Sequence, residues 1–239
     1  MKIVEKLSEK NENIRSARQP VIAFLGDSVT QGCFECYMNG ETLETVFDTK
    51  SSYVEKFKTI LATLFPKANP TIVNAGISGN KAFEGLNRID NDVLSFKPDL
   101  VVVCYGLNDA MGCKENLEQY KNSLSEIFKK VKDSGSELIF MTPNLRADCE
   151  DPLIEDEWIK KVNRKVSENE NQGWLQTYLA CAKEICEREN IPVCDCNNIW
   201  QRFKDGGVNV NSLLANRINH PLRELHWIFA YELIKTIFS

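Results

Sequence analysis

Leu100-Val101-Val102-Val103-Cys104, closed by Tyr105-Gly106, decides how this chain folds. No position in the run is polar, so a strand built from it shows apolar side chains on both faces and has to be covered on both. Similar runs recur in both directions. Residues 21–25 (VIAFL) stop at Gly26, 71–73 lead into Asn74, 138–141 end just before Thr142-Pro143, and 191–194 come last. Between them lie longer stretches with helical spacing. Residues 52–65 set Tyr53, Phe57, Ile60, Leu61 and Leu64 on one face, and 81–95, 116–132 and 175–189 follow, with 222–238 closing the chain. Apolar strands alternating with helices, joined by right-handed crossovers, predict an α/β protein. The expected architecture is a three-layer α/β/α sandwich around a parallel, flavodoxin-like five-stranded sheet.

The bulk figures agree with that reading. The chain has 239 residues, 43% of them hydrophobic and 26% charged, with a net charge of −5. Such a composition excludes a disordered or fibrous chain. Without a dense basic run there is no electrostatic case for a nucleic acid or an anionic membrane as partner. No stretch approaches the ~20 apolar residues that span a bilayer. Residues 1–18 are rich in charge and read as a polar lead-in to a single domain, 19–239. Nine cysteines, an odd number, and no apolar leader read as reduced thiols, so a cytoplasmic protein is expected. There is no internal repeat.

In a doubly wound sheet, ligands bind beyond the carboxyl ends of the strands. After the first strand comes Gly26-Asp27-Ser28-Val29-Thr30-Gln31-Gly32, and after the second Asn74-Ala75-Gly76-Ile77-Ser78-Gly79-Asn80. The third is followed by Gly106-Leu107-Asn108-Asp109, and Asn219-His220-Pro221 stands just before the last helix. A serine, exposed glycine backbone, an amide and a histidine are the parts that acyl transfer requires. The hydroxyl needs a base, and the tetrahedral oxyanion needs preorganised donors. Taken singly, each segment is unremarkable, since Gly-Asp-Ser also makes a capped turn and Asn-Asp an Asx turn. Neither GxGxxG nor GxxxxGK[ST] is present, so nucleotide binding is a poor reading.

In this order, GDS, NxGxSG, GxND and a late His-Pro resemble the blocks of the SGNH (GDSL-type) hydrolase family of esterases and lipases. The resemblance spans Gly26 to Pro221, nearly the whole chain, and implies the same three-layer sandwich. By that resemblance Ser28 is the nucleophile and His220 the general base. The oxyanion donors are the N–H groups of Ser28 and Gly79, the latter preferred over Gly76, and the Asn108 side-chain amide. A carboxylic ester hydrolase working through an acyl-enzyme is expected, with small acyl groups on a carbohydrate favoured. Thioesterase or acyltransferase chemistry on the same site is the alternative, and no cofactor or metal is called for.

One position departs from the family. An aspartate usually stands three, or in some members four, residues before the histidine; here Arg217 and Asn216 occupy those places. Without it, a catalytically impaired binding protein is the competing expectation. Asn216 is the candidate to accept the Nδ1–H of His220, as the asparagine does in Cys-His-Asn enzymes. A main-chain carbonyl or a distant acid such as Asp205 are the other routes. A histidine base also predicts activity rising with pH through an ordinary imidazole pKa.

Cys33-Phe34-Glu35-Cys36 is a CxxC without a second pair to complete a metal site, and reads as free thiols near the pocket rim. Residues 144–174 form an excursion longer than a simple connection, a candidate lid over the pocket. Phe34, Tyr37 and Phe83 are candidates to line an acyl or sugar pocket, and His226 reads as a packing residue.

Overall fold

The five apolar runs lie side by side in one sheet whose strands all run the same way. The computed structural model describes residues 1–239. In chain order the elements are α1 (Lys2–Glu12), β1 (Val21–Gly26), α2 (Ser28–Gln31), β2 (Cys33–Asn39), β3 (Thr42–Phe47), α3 (Tyr53–Leu64), β4 (Thr71–Gly76) and α4 (Ala82–Asp92). They continue with β5 (Leu100–Cys104), α5 (Leu117–Asp133), β6 (Glu137–Met141), α6 (Glu157–Asn171), α7 (Trp174–Glu189), β7 (Val193–Cys194), α8 (Cys196–Asp205) and α9 (His226–Phe238). The sheet order β4-β1-β5-β6-β7 is the flavodoxin-like order expected. Every residue of β5 is buried. The sheet ends in a short edge strand, β7, where Pro192 has no N–H to offer a ladder and only its carbonyl is used, accepting from Phe140 N at 3.1 Å.

Helices cover both faces. On one side α3 packs on α9, with α1 and α8 against α9; on the other α4 packs on α5, and α5 on α7. Phe24 of β1 meets Tyr53 and Phe57 of α3 edge-on, with ring centroids 5.8 and 5.5 Å apart. β1 lies between β4 and β5, so the strand order reverses beside it, and a crevice opens at the carboxyl ends of these three strands.

One expectation is corrected here. Residues 1–18 are not merely a polar lead-in, because α1 sets Ile3 and Leu7 one helical turn apart and buries both in the main core. The Glu137 carboxylate accepts the free N–H groups of Lys2 and Ile3 at 2.9 and 2.6 Å, fixing the start of α1 to β6. Residues 33–47, to which the sequence pattern assigns no element, form an antiparallel hairpin, β2–β3, outside the main sheet. Asn39-Gly40 at its tip is a hairpin signal, with Gly40 at φ 63°. A register shift between Cys33 and Cys36 breaks the polar–apolar alternation that would otherwise reveal the strand.

Candidate active site

Ser28 opens α2 directly after β1. The Asp27 side chain caps that helix, accepting Val29 N–H at 3.0 Å, so Asp27 is a structural hydrogen-bonder. Gly76, at the end of β4, leaves no room for a side chain: a Cβ there would lie 2.3 Å from Gln31 N of α2. That close approach presses the short helix onto the sheet edge.

His220 reaches Ser28 from the far end of the chain. Its Nε2 is 2.9 Å from Ser28 Oγ, and its Nδ1 is 2.7 Å from the carbonyl oxygen of Phe34 in β2. A carbonyl only accepts, so Nδ1 carries the proton and Nε2 is left bare to accept from the serine hydroxyl. Burial pushes the His220 pKa down to about 4, against the opposing pull of the Phe34 carbonyl and the Glu35 charge. The ring is therefore neutral near pH 7. An ordinary imidazole titration, expected from the sequence, is corrected by that burial.

Asn216 does not meet the ring nitrogen. Its Oδ1 accepts the main-chain N–H groups of Ile218, Asn219 and His220 at 3.0, 2.9 and 2.9 Å. Arg217 turns away toward Asp151 Oδ2 at 3.5 Å, and Asp205, on the exposed end of α8, accepts from Gln201 at 2.9 Å. Of the three routes, the main-chain carbonyl is the one the structure contains. A carbonyl has no residue signature, which is why the sequence left this open.

The candidate oxyanion donors face the same cavity. Gly79 sits at φ +79° with open space where a Cβ would be, and its N–H has no acceptor within the protein. Gly76 N–H, by contrast, is taken by Asn74 Oδ1 at 3.0 Å. The Asn108 amide is oriented by donating one N–H to Asn80 O at 3.0 Å, which leaves the second free. Behind it, the Asp109 carboxyl ties two loops together through Ala82 N at 2.8 Å and Gly106 N at 3.1 Å. Burial raises the Asp27 pKa to about 7 and that of Asp109 to about 6.

Ser28, Gly79, Asn108, His220 and Asn216 all border one cavity of about 400 Å³, a size suited to a small ligand. Leu43, Met111, Trp158, Val162, Val166 and Ile218 supply its apolar walls. Three expected lining residues are absent from them. Phe34 is fully buried behind His220, and Tyr37 and Phe83 lie elsewhere. The 144–174 excursion supplies α6 as a wall. It is anchored by a buried Arg146–Glu170 ion pair at 2.8 Å and by Asn163 Nδ2 donating to Arg217 O at 2.7 Å. Arg146 and Glu170 carry no motif that marks them in sequence. Cys36 reaches the pocket wall, Cys33 is buried, and both are free thiols. His226 packs against Phe34 at a 4.9 Å centroid separation and accepts Tyr53 N–H at 3.0 Å through Nδ1.

A Ser–His pair thus stands at the carboxyl edge of a flavodoxin-like sheet with free N–H donors beside it, the residue types that acyl transfer requires. The sequence profile of the GDSL-like Lipase/Acylhydrolase family matches residues 24–228, and the chain belongs to that family, a carboxylic ester hydrolase. An acetylxylan esterase of Geobacillus stearothermophilus is 28% identical over 170 residues, covering 66% of this chain and 76% of that protein. The crystal structure of Axe2, an acetylxylan esterase from the same organism, superposes with a TM-score of 0.67 at 24% identity, over 92% of this chain and 94% of that one. A two-domain esterase (CEX) active on acetylated mannans gives a TM-score of 0.69 at 18% identity, covering 98% of this chain and 53% of that one.

Proposed function

We propose that the protein removes small acyl groups, acetyl foremost, from carbohydrate hydroxyls through a serine-bound acyl-enzyme. The observation that carries this reading is the 2.9 Å contact between His220 Nε2 and Ser28 Oγ at the base of a cavity that Gly79 and Asn108 also border. Ser28 Oγ attacks the ester carbonyl while His220 Nε2 takes its proton. The N–H groups of Ser28 and Gly79 and the Asn108 amide receive the negative charge on the former carbonyl oxygen. His220 then returns the proton to the departing sugar hydroxyl, leaving Ser28 acylated. Water, deprotonated by the same nitrogen, releases the acid and restores the serine.

Two observations favour a short acyl group on a sugar. The cavity, about 400 Å³, is of a size for a small ligand, and Trp158, 44% exposed, stands at its border as a flat surface for a sugar ring. The similarity to an acetylxylan esterase points the same way. The missing aspartate does not argue for a dead site, since the Phe34 carbonyl already fixes the imidazole tautomer.

The test is hydrolysis of p-nitrophenyl acetate, butyrate and octanoate and of acetylated xylo-oligosaccharides, comparing wild type with Ser28→Ala. The expected result is a preference for acetate, acetate release from the oligosaccharide, and loss of both activities in the variant. Equal rates in wild type and Ser28→Ala would sink the mechanism, and a preference for octanoate would sink the substrate class.

A further inference from the structure

The only partner of His220 Nδ1 is the Phe34 carbonyl, and Phe34 belongs to a two-stranded hairpin outside the main sheet. Two strands alone are marginal in water, so the position of that carbonyl depends on what pins the hairpin down. One such pin is Arg223, three residues beyond His220. Its Nη1 and Nη2 donate to the two carboxylate oxygens of Glu35 at 2.5 and 2.9 Å, and its Nε donates to Asp48 Oδ2 at 3.0 Å. Glu35 is next to Phe34 in β2, and Asp48 follows the last residue of β3, so one guanidinium grips both strands. The same group lies over the Phe34 ring, its Cζ 4.3 Å from the centroid.

The contacts repeat along the chain. His220, Arg223 and His226, each three residues apart, touch the Phe34 carbonyl, the Glu35 carboxylate with the Phe34 ring, and the Phe34 ring. We propose that Arg223 is a positioning residue: through Glu35, Asp48 and the Phe34 ring it holds the Phe34 carbonyl against His220, the orienting role that an acidic side chain before the histidine would otherwise fill. This rests on His220 acting as the base for Ser28.

A fork of this kind suits the task. Bidentate Arg–carboxylate pairing fixes direction as well as distance. At 31% exposed for Arg223 and 43% for Glu35, the pair contributes little to global stability, and its effect falls on geometry. Arg223 holds the Glu35 carboxyl below its usual range.

The test uses Arg223→Ala and the milder Glu35→Gln, assayed well below the melting temperature of each variant. Arg223→Ala is expected to lose kcat by ~10²-fold with KM within twofold, because a shift of about an ångström at the base is that costly. Millimolar guanidinium should restore part of the loss by refilling the vacated site, and equal urea should not. Glu35→Gln should show a smaller loss of the same kind. A folded Arg223→Ala with wild-type kcat, or a rise in KM alone, overturns the proposal.

A second readout needs no activity. The chain has only two histidines, so ¹⁵N-histidine labelling resolves each ring. Wild type should show His220 protonated on Nδ1 and His226, whose Nδ1 accepts from Tyr53, protonated on Nε2. Arg223→Ala should mix the His220 tautomers and leave His226 as it is; an unmixed His220 signal counts against the clamp. If Ser28→Ala retained full activity while the tautomers still mixed, the catalytic reading would fail and the clamp would stand.

Discussion

Asn216 holds His220 by its main chain and not by its ring: Asn216 Oδ1 accepts the His220 N–H at 2.9 Å, while the ring Nδ1 is engaged by Phe34. The asparagine thus shapes the loop that presents the histidine, in the manner of an Asx turn.

Restoring the family's acid at that place should accordingly bring no benefit. Asn216→Asp keeps the accepting oxygen but loses the Nδ2–H donated to Asn219 Oδ1 at 3.0 Å. Its kcat should stay at or below the wild-type value. Asn216→Ala leaves three main-chain N–H groups without their acceptor and should lower stability by about 1–3 kcal/mol, read by denaturant unfolding. A clear gain in kcat for Asn216→Asp would show that the side chain can reach the ring after all.

The pH dependence follows from the buried imidazole. Only the neutral ring can take the serine proton, and its folded-state pKa lies at about 4. The kcat/KM profile for p-nitrophenyl acetate should be level between about pH 6 and 8 and fall on acidification, reaching half near pH 4. A half-point near 6.5 would mean that the ring is far better solvated than the structure indicates.

Removing the Asn108 amide should cost kcat about 10²–10³-fold with little change in the melting temperature. Both N–H groups are lost in Asn108→Ala, but only the one on Asn80 O supports the fold, at 3.0 Å. If kcat survives, charge on the substrate oxygen is being met by the two main-chain donors alone.

Asp27 gives a stability prediction with a definite sign. Burial raises its folded-state pKa to about 7, from an ordinary 3.8. The folded state therefore holds a proton that the unfolded chain has released, and stability is lost as pH rises through 7. The two buried histidines act in the opposite sense. Their folded-state pKa values, about 4 for His220 and about 3 for His226, lie below the unfolded value, so they favour the fold above pH 6.5 and lose that contribution on acidification. Asp27→Asn, which keeps the cap on α2, should gain melting temperature over wild type between pH 4.5 and 8, by several degrees in total. A difference independent of pH would contradict the linkage.

Much of this molecule is legible in its sequence because burial leaves a period. The apolar run Leu100–Cys104 is wholly buried, and the neighbouring runs mark the other strands of the same sheet. The residues that meet at the cavity are legible too, since Ser28, Gly79, Asn108 and His220 are side chains or glycines that chemistry selects by type. What stays hidden is held by backbone or by charge at long range. The Phe34 carbonyl could belong to any residue, and the Arg223–Glu35 contact joins positions 188 residues apart. The first helix is masked for another reason: only Ile3 and Leu7 are fully buried in a segment otherwise dense with charge.

Because the group that orients His220 is a peptide oxygen, no replacement of its own side chain deletes it. An alanine scan would score Ser28 and His220 and pass over the third group in contact. A replacement at position 34 leaves the acceptor itself in the chain but removes the ring on which Arg223 and His226 pack, so it would act only through the placing of the hairpin. Drift in such an arrangement would show first in the residues that steer the hairpin, far from the bond being broken.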